Sequence, residues 1–124
     1  LRGGGMVLVV DDEPSVRGAA RRALEQLGFE VLEAAGGREG VELFRANADR
    51  VAAVLLDMTM PDLSGEETVR ELCAVRAGAR VILSSGYADK ESAASNDEDA
   101  VVEFLHKPYT PDELAARLRA VLER

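Results

Sequence analysis

The chain is poor in the residues that announce a cofactor or a disulfide. It has one cysteine, one histidine and two lysines in 124 residues. A single Cys73 rules out an internal disulfide and any multi-cysteine metal site, and its place in an apolar helical pattern suits a reduced, buried thiol of a cytoplasmic protein. The longest apolar runs, Met6 to Val10 and Val51 to Leu56, fall far short of the roughly 20 residues a membrane span needs, and no signal-peptide pattern opens the chain. Positive charge is also scarce: 15 Lys and Arg against 23 Asp and Glu leave a net charge of −8, which a phosphate backbone would repel. Nucleic acid is therefore excluded as a direct partner. What remains is 47% apolar and 31% charged, enough for one core and one domain.

The apolar pattern alternates two kinds of segment. Met6 to Val10 and Val51 to Leu56 are unbroken and rich in β-branched residues, as in strands buried on both faces of a parallel sheet. Phe29 to Leu32, Arg80 to Leu83 and Val101 to Leu105 supply three more strands. Between them, Pro14 opens a helix carrying Val16, Ala20, Leu24 and Leu27 that stops at Gly28. Gly36-Gly37 leads into a second helix with Val41 and Phe44. Ser64 with Glu67, and Thr110 with Glu113, are capping boxes ahead of two further helices. Five repeats of this alternation predict an α/β doubly wound sheet spanning residues 6–124, with the glycine-rich residues 1–5 as a linker or tail. Ala88 to Ala100 offers only alanines among Asp, Glu, Ser, Asn and Lys, so a short, weakly anchored helix is expected there.

In such sheets ligands bind beyond the carboxyl ends of the strands, and the distinctive polar residues fall there. Strand one ends at Asp11-Asp12, strand three at Asp57, strand four at Ser84-Ser85 and strand five just before Lys107. Two carboxylates about 5 Å apart repel by roughly 3 kcal/mol at an effective dielectric near 20. Mg²⁺, a hard cation that joins one or two carboxylates to a phosphate, suits this oxygen donor set, and Lys107 adds a mobile point charge. Taken singly, each residue has a plainer role: Asp11, Asp12 and Glu13 as caps of the first helix, Asp57 as a turn former, Lys107 as a solvated edge residue, Ser84-Ser85 as a helix entry. Four plain roles would have to coincide at one sheet edge. His106 is expected to point away from the crevice, Met58 and Met60 to pack, and Tyr87 and Tyr109 to line the rim.

The segments VLVVDDEPSVR (7–17), LLDMTMPDLSG (55–65), VILSSGY (81–87) and FLHKPYTPDEL (104–114), in this order and spacing, resemble the receiver domains of bacterial two-component response regulators. The resemblance runs from Met6 to Arg124 and implies a flavodoxin-like five-stranded sheet of order 2-1-3-4-5. It implies that Asp57 accepts a phosphoryl group from a phosphohistidine of a histidine kinase or phosphotransfer protein. It further implies Mg²⁺ on Asp12, Asp57 and the Thr59 carbonyl, with Asp11 acting through water. Ser85 and Lys107 are implied to bind the phosphoryl oxygens, and Ser85 with Phe104 to form the conformational switch. Thr59 and Tyr87 flank the path of attacking water, and Tyr87 is expected to slow loss of the phosphoryl group. Asn96 stands where a bulky anchor is usual, so the surface of the helix before strand five, strand five and the last helix, which is also the expected homodimer face, is predicted to become ordered on phosphorylation or with a partner.

The resemblance implies a signalling module rather than an enzyme with a separate substrate. SSGYADKE and FLHKPYTPDEL look most like receivers at the carboxyl end of hybrid sensor histidine kinases. The last helix closes the sequence, so either a stand-alone receiver or one cut from a larger protein is expected, without an output domain. Two other readings stand beside it: a phosphorylation-independent interaction module of the same fold, and a small phosphatase with an aspartyl nucleophile. The phosphatase pattern wants a second aspartate two residues after Asp57, where this chain has Thr59. A nucleotide site is excluded by Asp11-Asp12 in place of a glycine-rich turn.

Overall fold

The computed structural model describes residues 5–86 and 100–124. The unbroken apolar segments form strands β1 (Met6–Val10) and β3 (Val51–Asp57), flanked by β2 (Glu30–Ala34), β4 (Arg80–Ser85) and β5 (Val101–His106). All pairings are parallel, as the apolar pattern predicts, and the order is β2-β1-β3-β4-β5, as the resemblance implies. Helices α1 (Pro14–Gln26), α2 (Gly37–Ala46), α3 (Gly65–Val75) and α4 (Pro111–Leu122) cover the two faces. The expected helix within Ala88 to Ala100 and the role expected of Tyr87 lie outside the described residues. No helix among the described residues is long and apolar enough to cross a membrane.

Strand alternation explains why both faces must be covered. Leu8, Val10, Leu56 and Leu83 point to one side, where Val41 and Phe44 of α2 and Val69 and Leu72 of α3 bury them. Val7, Val9, Leu55, Ile82 and Leu105 point to the other, against Ala20 and Leu24 of α1 and Leu114, Leu118 and Val121 of α4. Each fully buried Val or Leu contributes about 1.5–3 kcal/mol relative to exposure. β2 lies at the sheet edge and is accordingly only partly buried along its length.

Helix boundaries follow the sequence signals. Gly28 stops α1 with φ +94°, a conformation that glycine alone adopts without strain. Both capping boxes form: Ser64 Oγ accepts the Glu67 amide at 3.0 Å, and Thr110 Oγ1 accepts the Glu113 amide at 3.1 Å. β4 ends at Ser85, as expected, with both Ser84 and Ser85 paired to β5. At the start of the described residues, the Gly5 carbonyl accepts the Glu30 amide. One expectation needs correction: Cys73 is half-buried rather than buried, at the margin of the α2–α3 side of the core.

α2 packs closely on β1 because residue 40 is glycine. A Cβ there would lie 2.8 Å and 3.1 Å from the two methyls of Val10, itself fully buried. Gly40→Ala gains about 1 kcal/mol of helix propensity but meets an overpacking cost of about 1–3 kcal/mol. It is expected to lower the unfolding free energy in urea by about 1 kcal/mol, with the m-value unchanged.

Candidate functional site

Three strand ends deliver the site. β1 leaves Asp11 buried at 3% exposure, β3 ends with Asp57 at 2%, and β5 is followed by Lys107. Lys107 is placed by pairing: its amide donates to the Ser85 carbonyl at 2.9 Å, extending the β4–β5 ladder by one bond. Its Nζ donates to Asp11 Oδ2 at 3.0 Å and lies 3.4 Å from Asp57 Oδ2. One ammonium thus bridges two buried carboxylates.

Each carboxylate keeps its other oxygen occupied. Asp11 Oδ1 accepts the Glu13 amide at 2.9 Å, and Arg17 donates to the Asp11 carbonyl at 2.7 Å. The N-cap of α1 is Glu13, with no side-chain cap, so Asp11 does not serve as the cap. Asp57 Oδ1 accepts both the amide and the hydroxyl of Thr59, at 3.1 Å and 3.2 Å. The turn-forming role is therefore real, and it leaves Oδ2 facing Lys107. Asp12 is exposed beside this pair, and carboxylate oxygens of Asp11, Asp12 and Asp57 lie within 4.8 Å of one another.

Burial pushes the Asp57 carboxyl above its ordinary range; the Thr59 amide and the Lys107 charge act against this, and Asp11 reinforces it. Burial also disfavours the Lys107 ammonium, but the hydrogen bond to Asp11 and the charge of Asp57 outweigh it and hold the ammonium above its usual value. The neighbouring Tyr109 phenol is raised by burial and by the charge of Asp11. Three carboxylates facing one ammonium leave an excess of two negative charges. A divalent cation with oxygen preference fits this donor set.

The two residues expected to form the switch, Ser85 and Phe104, lie on one side of the sheet. Leu83 is in register with Phe104, so Ser85, two residues on, points to the same side as Phe104. Ser85 is buried and Phe104 half-buried against the core. Ser84 points to the opposite side; its hydroxyl is buried and finds no hydrogen-bond partner among the described residues. His106 is exposed, while Met60 is buried and Met58 packs at the core margin, all as expected. Tyr109 lines a cavity of about 370 Å³ with Ser15, Val16, Ala19, Lys107 and Pro108. Two contributors escaped the sequence reading: Arg17, which fixes the exit of β1, and Asp62, which binds α2 from the loop after β3.

A doubly wound sheet with a buried aspartate, two acidic neighbours and a lysine at its carboxyl edge defines an aspartate-centred site on a flavodoxin-like fold. The sequence profile of the response regulator receiver domain matches residues 7–119, and the chain belongs to that family. It is 36% identical over its full length to the sensor kinase CckA of Brucella abortus, of which it spans 13%, and it spans about half of other relatives it matches. The receiver domain of the hybrid histidine kinase CckA superposes with TM-score 0.79 at 33% identity, over 95% of this chain and 99% of that one. The CheX–CheY–BeF3–Mg²⁺ complex of Borrelia burgdorferi contains a chain that superposes with TM-score 0.85 at 25% identity, over 94% and 88%.

Two outcomes follow from the charge arrangement. Lys107→Met leaves two buried carboxylates without their cation and is expected to cost about 3 kcal/mol at neutral pH without divalent metal. In the variant the Asp57 carboxyl loses the charge that opposes its upward shift, so the loss shrinks as pH falls and Asp57 takes up a proton. Asp57→Asn is expected to raise the melting temperature at neutral pH. The folded-state carboxyl of Asp57 lies above its unfolded value, so its contribution favours folding below the unfolded pKa and is lost as pH rises through the folded one. Thermal melts of both variants between pH 4 and 8 check these signs, and the gain from Asp57→Asn should vanish at the acid end.

Proposed function

We propose that the chain is a phosphoacceptor receiver in which Asp57 takes a phosphoryl group from a phosphohistidine of a histidine kinase or phosphotransfer protein. The observation that carries this reading is the unequal dressing of the two Asp57 oxygens. Oδ1 accepts two hydrogen bonds from Thr59, whereas Oδ2 faces the Lys107 ammonium. Oδ2 forms the new O–P bond as the P–N bond to the donor imidazole breaks, and the electron pair of that bond stays on the imidazole nitrogen. Such transfer needs positioning and charge neutralisation more than covalent machinery, and Lys107 supplies one positive charge already in place.

Mg²⁺ is the cofactor this reading assigns, held by Asp12, Asp57 and the carbonyl of Thr59, with Asp11 helping through water. When bound, it offsets the charge that gathers on the phosphoryl oxygens. The Borrelia burgdorferi neighbour was crystallised with Mg²⁺ and BeF3, which supports the same assignment here. The cavity lined by α1 and by Lys107, Pro108 and Tyr109 opens beside the ammonium, a natural approach for the donor imidazole.

Phosphorylation adds about −1.5 to −2 charges and three acceptor oxygens. Lys107 pairs with one oxygen and Ser85 donates to another. Movement of the Ser85 hydroxyl frees space on the side of the sheet that Phe104 shares, and the ring turns inward. Driving such a switch from 1:99 to 99:1 takes about 5.5 kcal/mol of differential stabilisation. Residues 6–124 form the receiver on this reading, residues 1–5 a tail, and the setting is the cytoplasmic part of a phosphorelay, as in hybrid kinases.

Intact mass after incubation with Mg²⁺ and acetyl phosphate tests the proposal. One phosphoryl group is expected on the wild type and none on Asp57→Asn or when metal is chelated. An unlabelled wild type, under conditions that label another receiver, would overturn it in favour of a phosphorylation-independent interaction module.

A further inference from the structure

Asp62 lies in the loop between β3 and α3, five residues beyond the phosphoacceptor and outside its reach, yet it is the most heavily hydrogen-bonded exposed carboxylate among the described residues. Its Oδ1 accepts the Gly37 amide at 2.9 Å and its Oδ2 the Arg38 amide at 3.0 Å. The Leu63 amide adds a third bond at 2.9 Å. These bonds, the one from Arg38 foremost, hold the carboxyl below its ordinary range.

The first turn of α2 needs this acceptor. Its N-cap is Gly36, which has no side chain to cap with. The helix is capped instead by a residue 25 positions later in sequence. The two glycines make room for that approach: a Cβ on Gly36 would lie 3.1 Å from the Asp62 carboxylate, and one on Gly37 2.9 Å from both Leu63 and Thr68.

The same loop carries Thr59. It is closed on itself by a bridge between Thr59 and Ser64 and by the Gly65 amide donating to the Met58 carbonyl at 3.2 Å. A closed loop fastened at Asp62 cannot move away from α2 without also moving Thr59, whose amide and hydroxyl hold Asp57 Oδ1. We propose that Asp62 is a positioning residue for the chemistry at Asp57: by fastening the loop to the N-terminus of α2, it keeps Thr59 on the acceptor carboxylate. The consequence for phosphorylation rests on Asp57 being the phosphoacceptor; the consequence for Thr59 does not.

A cap that merely stabilises α2 would have a different signature, and one extra substitution separates the two. Asp62→Ala removes both cap and fastening. Asp62→Ala with Gly36→Ser gives α2 a cap of its own in the space vacated by the carboxylate, with the extended backbone of residue 36 open to any side chain. Three readouts are taken on the full chain well below every variant's melting temperature: thermal stability, hydrogen exchange at the Thr59 amide without metal, and the rate of labelling by acetyl phosphate with Mg²⁺. The double variant is expected to regain most of the lost stability. Thr59 exchange should stay about tenfold faster than wild type, and labelling about fivefold slower, in both variants, the scale of one hydrogen bond lost. Asp62→Asn, which keeps one acceptor oxygen, should fall between. Wild-type exchange and labelling in Asp62→Ala, or their full return with Gly36→Ser, would overturn the proposal. If the wild type fails to label while Thr59 exchange still responds to Asp62, the phosphoacceptor reading falls and the fastening stands.

Discussion

Everything at the carboxyl edge of this sheet depends on one ammonium shared by two buried carboxylates. Isolated carboxylates at this depth would be costly, and Lys107 contacts both Asp11 and Asp57. The ammonium sits there because β5 pairs with β4 up to and beyond its last residue, so the position of Lys107 is set by backbone bonds rather than by its own flexible stem. The remaining charge is not balanced. Two negative charges in excess make the site a poor structural ion pair and a good receptor for a divalent cation.

The rest of the fold serves to hold those strand ends in register. β1 and β3 are apolar on both faces, so neither can turn over or slip without exposing buried Val and Leu. The sheet therefore presents Asp11 and Asp57 at a fixed separation. Arg17 adds a clamp on the exit of β1, and the loop after β3 is closed by its own bonds and by Asp62 on α2. Phe104 is less tightly held: it is half-buried where its neighbours in β3 and β4 are fully buried. A ring with partial cover can change position at a lower packing cost than one enclosed all round.

Much of this was legible in the sequence because it is written locally. Unbroken apolar runs ending in Asp11 and Asp57 marked the central strands, and Ser64-x-x-Glu67 and Thr110-x-x-Glu113 marked two helix starts. The strand ends already gathered Lys107 and Ser85 with Asp11 and Asp57 at one edge across a separation of 96 residues between Lys107 and Asp11, and the resemblance to receivers added Phe104. What stayed hidden was non-local. The cap of α2 comes from Asp62, and no local pattern links residue 62 to Gly36. Ser84 and Ser85 were alike at the end of strand four; only the pairing with β5 sends their side chains to opposite sides. Cys73 looked like a core position by periodicity, but it falls at the edge of the apolar stripe of α3.

The shared-ammonium account is tested most directly by following the side-chain carboxyl of Asp57 with ¹³C NMR through an acid titration, with and without Mg²⁺. Without metal, Asp57 is expected to take up its proton above the ordinary carboxyl range, near 3.9 for an unperturbed aspartate, and addition of Mg²⁺ should move that midpoint down. A midpoint at or below the ordinary range that ignores Mg²⁺ would mean that Lys107 already satisfies the site, and the excess charge invoked here would not exist.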